Sequence, residues 1–359
     1  MEVPLCNLCK IKPATQTGSH IFSWSLIRSL VNKEGIRERE NEVVFSFSEA
    51  FVKTYIGRQQ SAEEKVIPIK GRPLNEEEIE ETENENPFIS DNILCPECEH
   101  MLSVLESVVN ERVLTKTRKH IVKNTGGYDK IAIQDGDPLR LFIYSLAWRG
   151  AITGINNFEM LPEHSEILRN ILHKSLSSNR TELLKNIEQH SNLVRSISLL
   201  IAFLEVHGKN DNFIYCSLSY KPYAMILNDL SFQIFFDDAP DNSFDPEFMG
   251  INNVIKKDEL LMKNEANFEV AILSNQVRMQ VNRNLNSAMK DIILKPAIEL
   301  FSLAFQKFIQ RLPHREEVQL FIQNVIKRGD HKLENYTPKD FVEAASETML
   351  QLFPERSKP

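Results

Sequence analysis

Leu94-Cys95-Pro96-Glu97-Cys98-Glu99-His100, taken with Leu5-Cys6-Asn7-Leu8-Cys9, decides how this chain is read. Each stretch places two cysteines three positions apart, so both thiolates of a pair reach one ion. Four thiolates match the tetrahedral preference of structural zinc and leave no open coordination position. Such an ion is an element of the fold rather than a reagent. Any chemistry then comes from residues that the ion holds in place, and the nearest is His20, in Gly18-Ser19-His20-Ile21. The remaining cysteine, Cys216, lies in the apolar run Phe213-Ile214-Tyr215-Cys216-Ser217-Leu218 and reads as a small buried residue.

Working outward, both pairs must meet, so residues 1–130 form one zinc-binding unit with a long insertion between its knuckles. Residues 43–55 are apolar, and Phe45 and Phe47 alternate with serines in strand fashion. An acidic insertion over about 57–92 follows; at 76–85 it is almost unbroken glutamate, which repels itself and reads as a solvated loop. After the second knuckle Met101, Leu102, Leu105, Val108 and Val109 recur at helical spacing, and the helix runs into a basic stretch. Lys116, Arg118, Lys119 and Lys123 in that stretch are candidate phosphate contacts, or simply a solvated face.

Residues 131–359 read as a mainly helical unit with a small sheet. Asp137-Pro138 opens a helix, an acid followed by proline in the first turn. Leu183 through Leu204 reads as a long helix. Short strands are expected at about 213–236 and 270–273. Phe301, Phe305, Phe308 and Leu312 form one helical face, with Pro296 expected to kink or break the segment upstream. Thr337-Pro338 opens a last helix that buries Phe341, Ala345 and Met349. Trp24 and Trp148 read as packing residues. The fold class is therefore α+β, a zinc module followed by a mostly α-helical region with a small β-sheet.

With 42% hydrophobic and 26% charged residues over 359 positions, the chain has the composition of a globular protein and not of a disordered one. A net charge of −8 and a pI near 5.7 argue against a general nucleic-acid coat, yet leave room for a local basic groove. The apolar start is too short for a signal peptide, no stretch is long enough to span a bilayer, and metal-type cysteines fit a reducing compartment. The expectation is a cytoplasmic protein with no membrane partner.

Knuckle, hairpin, returning knuckle and helix is the order of a treble clef. Cys6-Asn7-Leu8-Cys9, Ser19-His20-Ile21 and Asn92-Ile93-Leu94-Cys95-Pro96-Glu97-Cys98-Glu99 resemble the HNH endonuclease superfamily, in its zinc-bearing branch with two Cys-x-x-Cys pairs. The resemblance implies a ββα-metal site in which His20 is the general base and Mg²⁺ or Mn²⁺ polarises a scissile phosphate. It also implies Glu99 as a metal ligand, where the family commonly has histidine or asparagine, and Asn92 as the residue that orients the base. Ser19 stands where the family commonly places an acid or histidine. The function implied is hydrolysis of nucleic acid, DNA ahead of RNA, in bacterial defence or a mobile-element system. The alternative from the same residues is a non-catalytic zinc-stabilised module that binds nucleic acid or protein within a complex. On that reading His20 anchors the hairpin, Glu99 is a first-turn acid favoured by the helix dipole, and the helical region supplies a protein interface.

Overall fold

The computed structural model describes residues 4–15, 19–23, 25–26, 43–47, 52–56, 88–134, 136–155, 158–206, 214–217, 222–236, 249, 251, 254–255, 261–262, 265–328 and 338–353. The glutamate run at 76–85 and Trp24 lie outside the described residues. The architecture is α+β. Four short strands belong to the N-terminal part: β1 (Ser19–His20), β2 (Val43–Phe47), β3 (Val52–Ile56) and β4 (Ile89–Ser90). β1 pairs antiparallel with β4, and β2 with β3, so the expected strand at Phe45 and Phe47 is one arm of a hairpin.

Helix α1 (Pro96–Val109) buries Cys98, Leu102, Leu105, Val108 and Val109, the stripe expected from their spacing. It widens into a π-turn (Asn110–Leu114) and ends in α2 (Thr115–Thr117). β5 (Tyr128–Ile133) follows, then α3 (Gly136–Thr153), α4 (Pro162–Ser175), α5 (Arg180–Gln189) and α6 (Ser191–Val194). The sheet continues with β6 (Ser198–Leu204), β7 (Ile214–Cys216), β8 (Tyr223–Leu227), β9 (Leu230–Phe235), β10 (Leu261–Met262) and β11 (Phe268–Leu273). Three helices close the chain: α7 (Asn275–Ile309), α8 (Arg315–Arg328) and α9 (Pro338–Leu352).

The main sheet is larger than a small accessory. It has seven strands in the order β5-β11-β6-β9-β8-β7, with β10 also pairing β6. Every pairing is antiparallel except β11 with β6. Its strands alternate strictly between two cores. Leu199, Ile201, Phe203, Phe232, Ile234, Val270 and Ile272 face a core shared with α1, α3, α4 and α5. Leu200, Ala202, Leu204, Ile226, Ala271 and Leu273 face Val277, Val281 and Leu285 of α7.

That two-sided burial explains where the helix expected at 183–204 departs from the structure. The helical pattern holds as α5 and α6, then gives way to β6. A strand covered on both faces is a continuous apolar run, which periodicity cannot separate from a buried helix. α7 runs unbroken through Pro296 where a break was expected. Phe301 and Phe305 pack with Phe321 and Val325 in a third core between α7, α8 and α9, whereas Phe308 and Leu312 face outward. Trp148 and Cys216 are buried as expected.

α3 sits so close to the sheet that a side chain on either of two of its glycines would press on a neighbour. A Cβ on Gly136 would lie 2.2 Å from Phe268 and 2.5 Å from the Ala266 carbonyl; one on Gly150 would lie 2.6 Å from the Met225 methyl. The first core is continuous from Cys6 and Leu8 through Leu102 and Phe142 to Ile272, so the cysteine region and the sheet share one apolar interior. Among the described residues no helix is long and apolar enough to cross a membrane.

Candidate metal centre

The first knuckle is a tight loop closed by its own backbone. The Lys10 N–H donates to the Cys6 carbonyl and the Cys6 N–H to the Lys12 carbonyl, both at 2.8 Å. Lys10 sits at φ 57°, in the left-handed region where glycine is the usual occupant. Asn7 fastens this loop to the second knuckle: its backbone N–H and its Nδ2 both donate to the Ile93 carbonyl, at 2.9 and 3.2 Å. The Thr15 N–H donates to the Leu94 carbonyl at 3.1 Å, and the Asn92 N–H to the Thr15 carbonyl at 3.0 Å. Asn92 itself has φ 59° and turns the chain out of β4 toward Cys95. Pro96 then opens α1, in the first turn where a missing N–H costs no helical bond.

These bonds bring all four sulfurs of Cys6, Cys9, Cys95 and Cys98 within 4.8 Å of one another, with Cys9 and Cys95 at 4.0 Å. Tetrahedral zinc with Zn–S bonds of about 2.3 Å would set its sulfurs about 3.8 Å apart. The donor set therefore fits a closed four-thiolate ion. Its electrostatics point the same way. The Cys98 thiol donates toward Cys6, and backbone N–H groups of Cys9, Cys95 and Leu8 add to it, so the Cys6 thiol is pulled down to about 4. The same hydrogen bond, then burial, pushes Cys98 up, and burial pushes Cys95 up. Protons crowded among buried sulfurs are what a divalent cation displaces on binding.

Cations surround the cluster. Lys12 pairs with Glu97, and its ammonium is held above the usual lysine range chiefly by that hydrogen bond, with Cys95 and Cys9 adding. From α4, Arg169 Nη1 donates to the Leu8 carbonyl at 2.6 Å, inside the first knuckle. Its Nε and Nη2 grip the two oxygens of Glu166 at 2.9 and 2.7 Å. Arg169 first, then Lys10 at 2.8 Å, hold the Glu166 carboxyl down to about 2.

His20 is half-buried on β1, opposite Ile89, and the Ile21 N–H donates to the Phe88 carbonyl at 2.8 Å. Ser19 beside it is buried. Glu99 lies in the first turn of α1, directly after the last cysteine. Ser19 Oγ and Glu99 Oε2 are both buried and have no hydrogen-bond partner among the described residues. Such a carboxylate oxygen carries a desolvation cost that a bound cation or donor would offset. In the basic stretch Lys116, Lys119 and Lys123 are exposed. Arg118 is instead committed to Asp229, with Nη2 donating at 3.1 Å and Nε also in contact.

Three residues that the sequence reading passed over hold this region together: Arg149, Glu106 and Arg169. Arg149 carried a signal, since a charge inside the apolar segment 139–150 needs a buried partner. No family model, curated protein or solved structure matches this chain.

Proposed function

We propose that this chain is a metal-dependent phosphodiesterase of HNH type, acting on nucleic acid, DNA ahead of RNA, and built on a treble-clef zinc module. The observation that carries the reading is the buried Glu99 Oε2, without a donor, on the helix that leaves the four-cysteine cluster. Cys6, Cys9, Cys95 and Cys98 would hold zinc, which supplies a rigid cross-link between the two knuckles. Glu99 would hold Mg²⁺ or Mn²⁺, since hard cations take oxygen ligands, and that ion when bound supplies polarisation of the scissile phosphate.

His20 is the general base. An imidazole with an ordinary pKa of about 6.5 accepts the proton of an attacking water near neutral pH. The water oxygen bonds to phosphorus as the bond to the leaving oxygen breaks. Exposed Lys116, Lys119 and Lys123 meet the phosphate backbone, while Arg118 stays with Asp229. The insertion between the knuckles controls access in a defence or mobile-element setting.

The test incubates supercoiled plasmid, single-stranded DNA and RNA with Mg²⁺ or Mn²⁺ and the wild-type, His20→Ala and Glu99→Gln proteins. Nicking by the wild type and its loss in both variants is the expected result; equal nicking, or none from any form, sinks the catalytic reading. The non-catalytic binding module is the second reading. It draws on Ser19, buried where the family commonly has a ligand, and on the charge of −8. Metal-independent gel shifts without cleavage are its expected signature.

A further inference from the structure

One buried cation joins the His20 strand to the α1 helix. Arg149 of α3 is 1% exposed. Its Nη1 donates to the His20 carbonyl at 2.8 Å, and its Nη2 to Glu106 Oε1 at 2.7 Å. Nε donates to the Ser145 carbonyl one turn earlier, at 3.3 Å, which holds the side chain to its own helix. A guanidinium keeps its charge at any pH a protein meets, so burial makes all these partners obligatory. Glu106 lies seven residues beyond Glu99, hence on the same face of α1 and roughly 10 Å along its axis.

We propose that Arg149 is a positioning residue for the candidate catalytic site. One arm of its planar fork fixes the main chain of His20, and the other fixes the helix that carries Glu99. The sulfur cluster ties the knuckles and the short β1–β4 pairing ties His20's strand to the second of them, while Arg149 supplies the side-chain link from the His20 main chain to the body of α1. α3 therefore completes the site, and the region after residue 130 is part of the apparatus that aims His20. Arg149 bonds to main chain and to Glu106, so its action passes through His20 and not through direct contact with substrate.

This inference rests on the hydrolytic reading, and its test separates the two. Metal-dependent cleavage by the wild type and its loss in His20→Ala establish that reading first. Arg149→Met is then expected to lower kcat roughly a hundredfold with KM for the nucleic acid and zinc content little changed. Arg149→Lys keeps the charge but bridges the partners poorly, and should fall between the two. An unchanged kcat in a folded, zinc-loaded Arg149→Met protein overturns the proposal. So does a parallel collapse of zinc content and activity that Arg149→Lys does not relieve. A second readout works whether or not the chain cleaves: in histidine-labelled protein, the His20 ring resonances, assigned with His20→Ala, should shift in Arg149→Met and partly return in Arg149→Lys. Ring resonances that stay in place overturn the positioning role. If Arg149→Met does not fold, Glu106→Gln, which weakens one arm while keeping an acceptor, is expected to shift the same resonances, and unmoved resonances again overturn the proposal.

Discussion

Replacing Arg169 with methionine tests whether the region beyond the cysteines helps retain the metal. Arg169 contributes one charge-assisted hydrogen bond to the first knuckle, from Nη1 to the Leu8 carbonyl at 2.6 Å, and its side chain is 13% exposed. A hydrogen bond from a charged donor is worth roughly 1.5–3 kcal/mol. Glu166 shares the guanidinium and is 43% exposed, so releasing it costs little because Lys10 remains. Taking the lower end, about 1.5 kcal/mol, a bound ion should be held roughly tenfold less tightly in the variant. The positive charge also faces thiolates, which gather excess negative charge once four of them share one dication, so its loss acts in the same direction. Competition with a chromogenic chelator at pH 7.5 measures the dissociation constant and the release rate. Arg180→Met provides the control, since the Arg180–Glu111 pair is exposed on both sides. Arg169→Met and Arg180→Met within twofold of the wild type would refute the reasoning and reduce Arg169 to a surface ion pair.

On the four-thiolate zinc reading, Cys95→Ser should take up no zinc where the wild type takes up one equivalent, measured by atomic emission, while the far-ultraviolet signal of the main sheet persists. Gly136→Ala should destabilise the fold by about 2 kcal/mol or more in urea unfolding, because the clash includes a backbone carbonyl that no rotamer relieves. Gly150→Ala meets a flexible methionine methyl, and a gain of up to about 1 kcal/mol in helix propensity should leave it within about 1 kcal/mol of the wild type. Arg311, and less strongly the His314 N–H, hold the Glu317 carboxyl below the usual carboxylate range at the start of α8. A folded-state pKa below the unfolded value of about 4.3 gives stability that is present above that pH and lost as pH falls through the folded pKa. The gap in melting temperature between wild type and Glu317→Gln should therefore close as the pH is lowered below about 4.

What was legible in the sequence is what local chemistry decides. Cysteine spacing marks each pair as able to share one ion, and the stripe from Leu102 to Val109 has one period and one buried face. The run from Ile197 to Val206 was illegible because β6 is covered on both sides, by α3 on one face and α7 on the other. Phe308 and Leu312 continue the pattern of Phe301 and Phe305 but are exposed, while Ile309 packs on the third core, so which residues are covered is a tertiary fact. In the candidate site, His20 and Glu99 were legible as residue types in a pattern. The partners that place them were not, since Arg149 is 129 residues from His20 and 43 from Glu106.

The charges buried along α3 show why that distance matters. Asp137 takes Arg195 on both oxygens, at 2.9 Å to Nε and 2.5 Å to Nη2, and Arg149 takes Glu106 and the His20 carbonyl. An apolar helix in their place would pack as well and avoid the cost of desolvating ions, so buried pairs are weak sources of net stability. Their effect is on uniqueness. An apolar face tolerates a sliding neighbour, whereas a forked cation inside a core accepts its partners in one arrangement and makes every other arrangement expensive. On α3, Asp137 applies that constraint to Arg195 and buried Arg140 to the Ile197 carbonyl, while Arg149 applies it to β1 and α1, the two elements that carry His20 and Glu99. If His20 and Glu99 act together as proposed, Arg149 is the buried side chain that links the shared core to both of their elements.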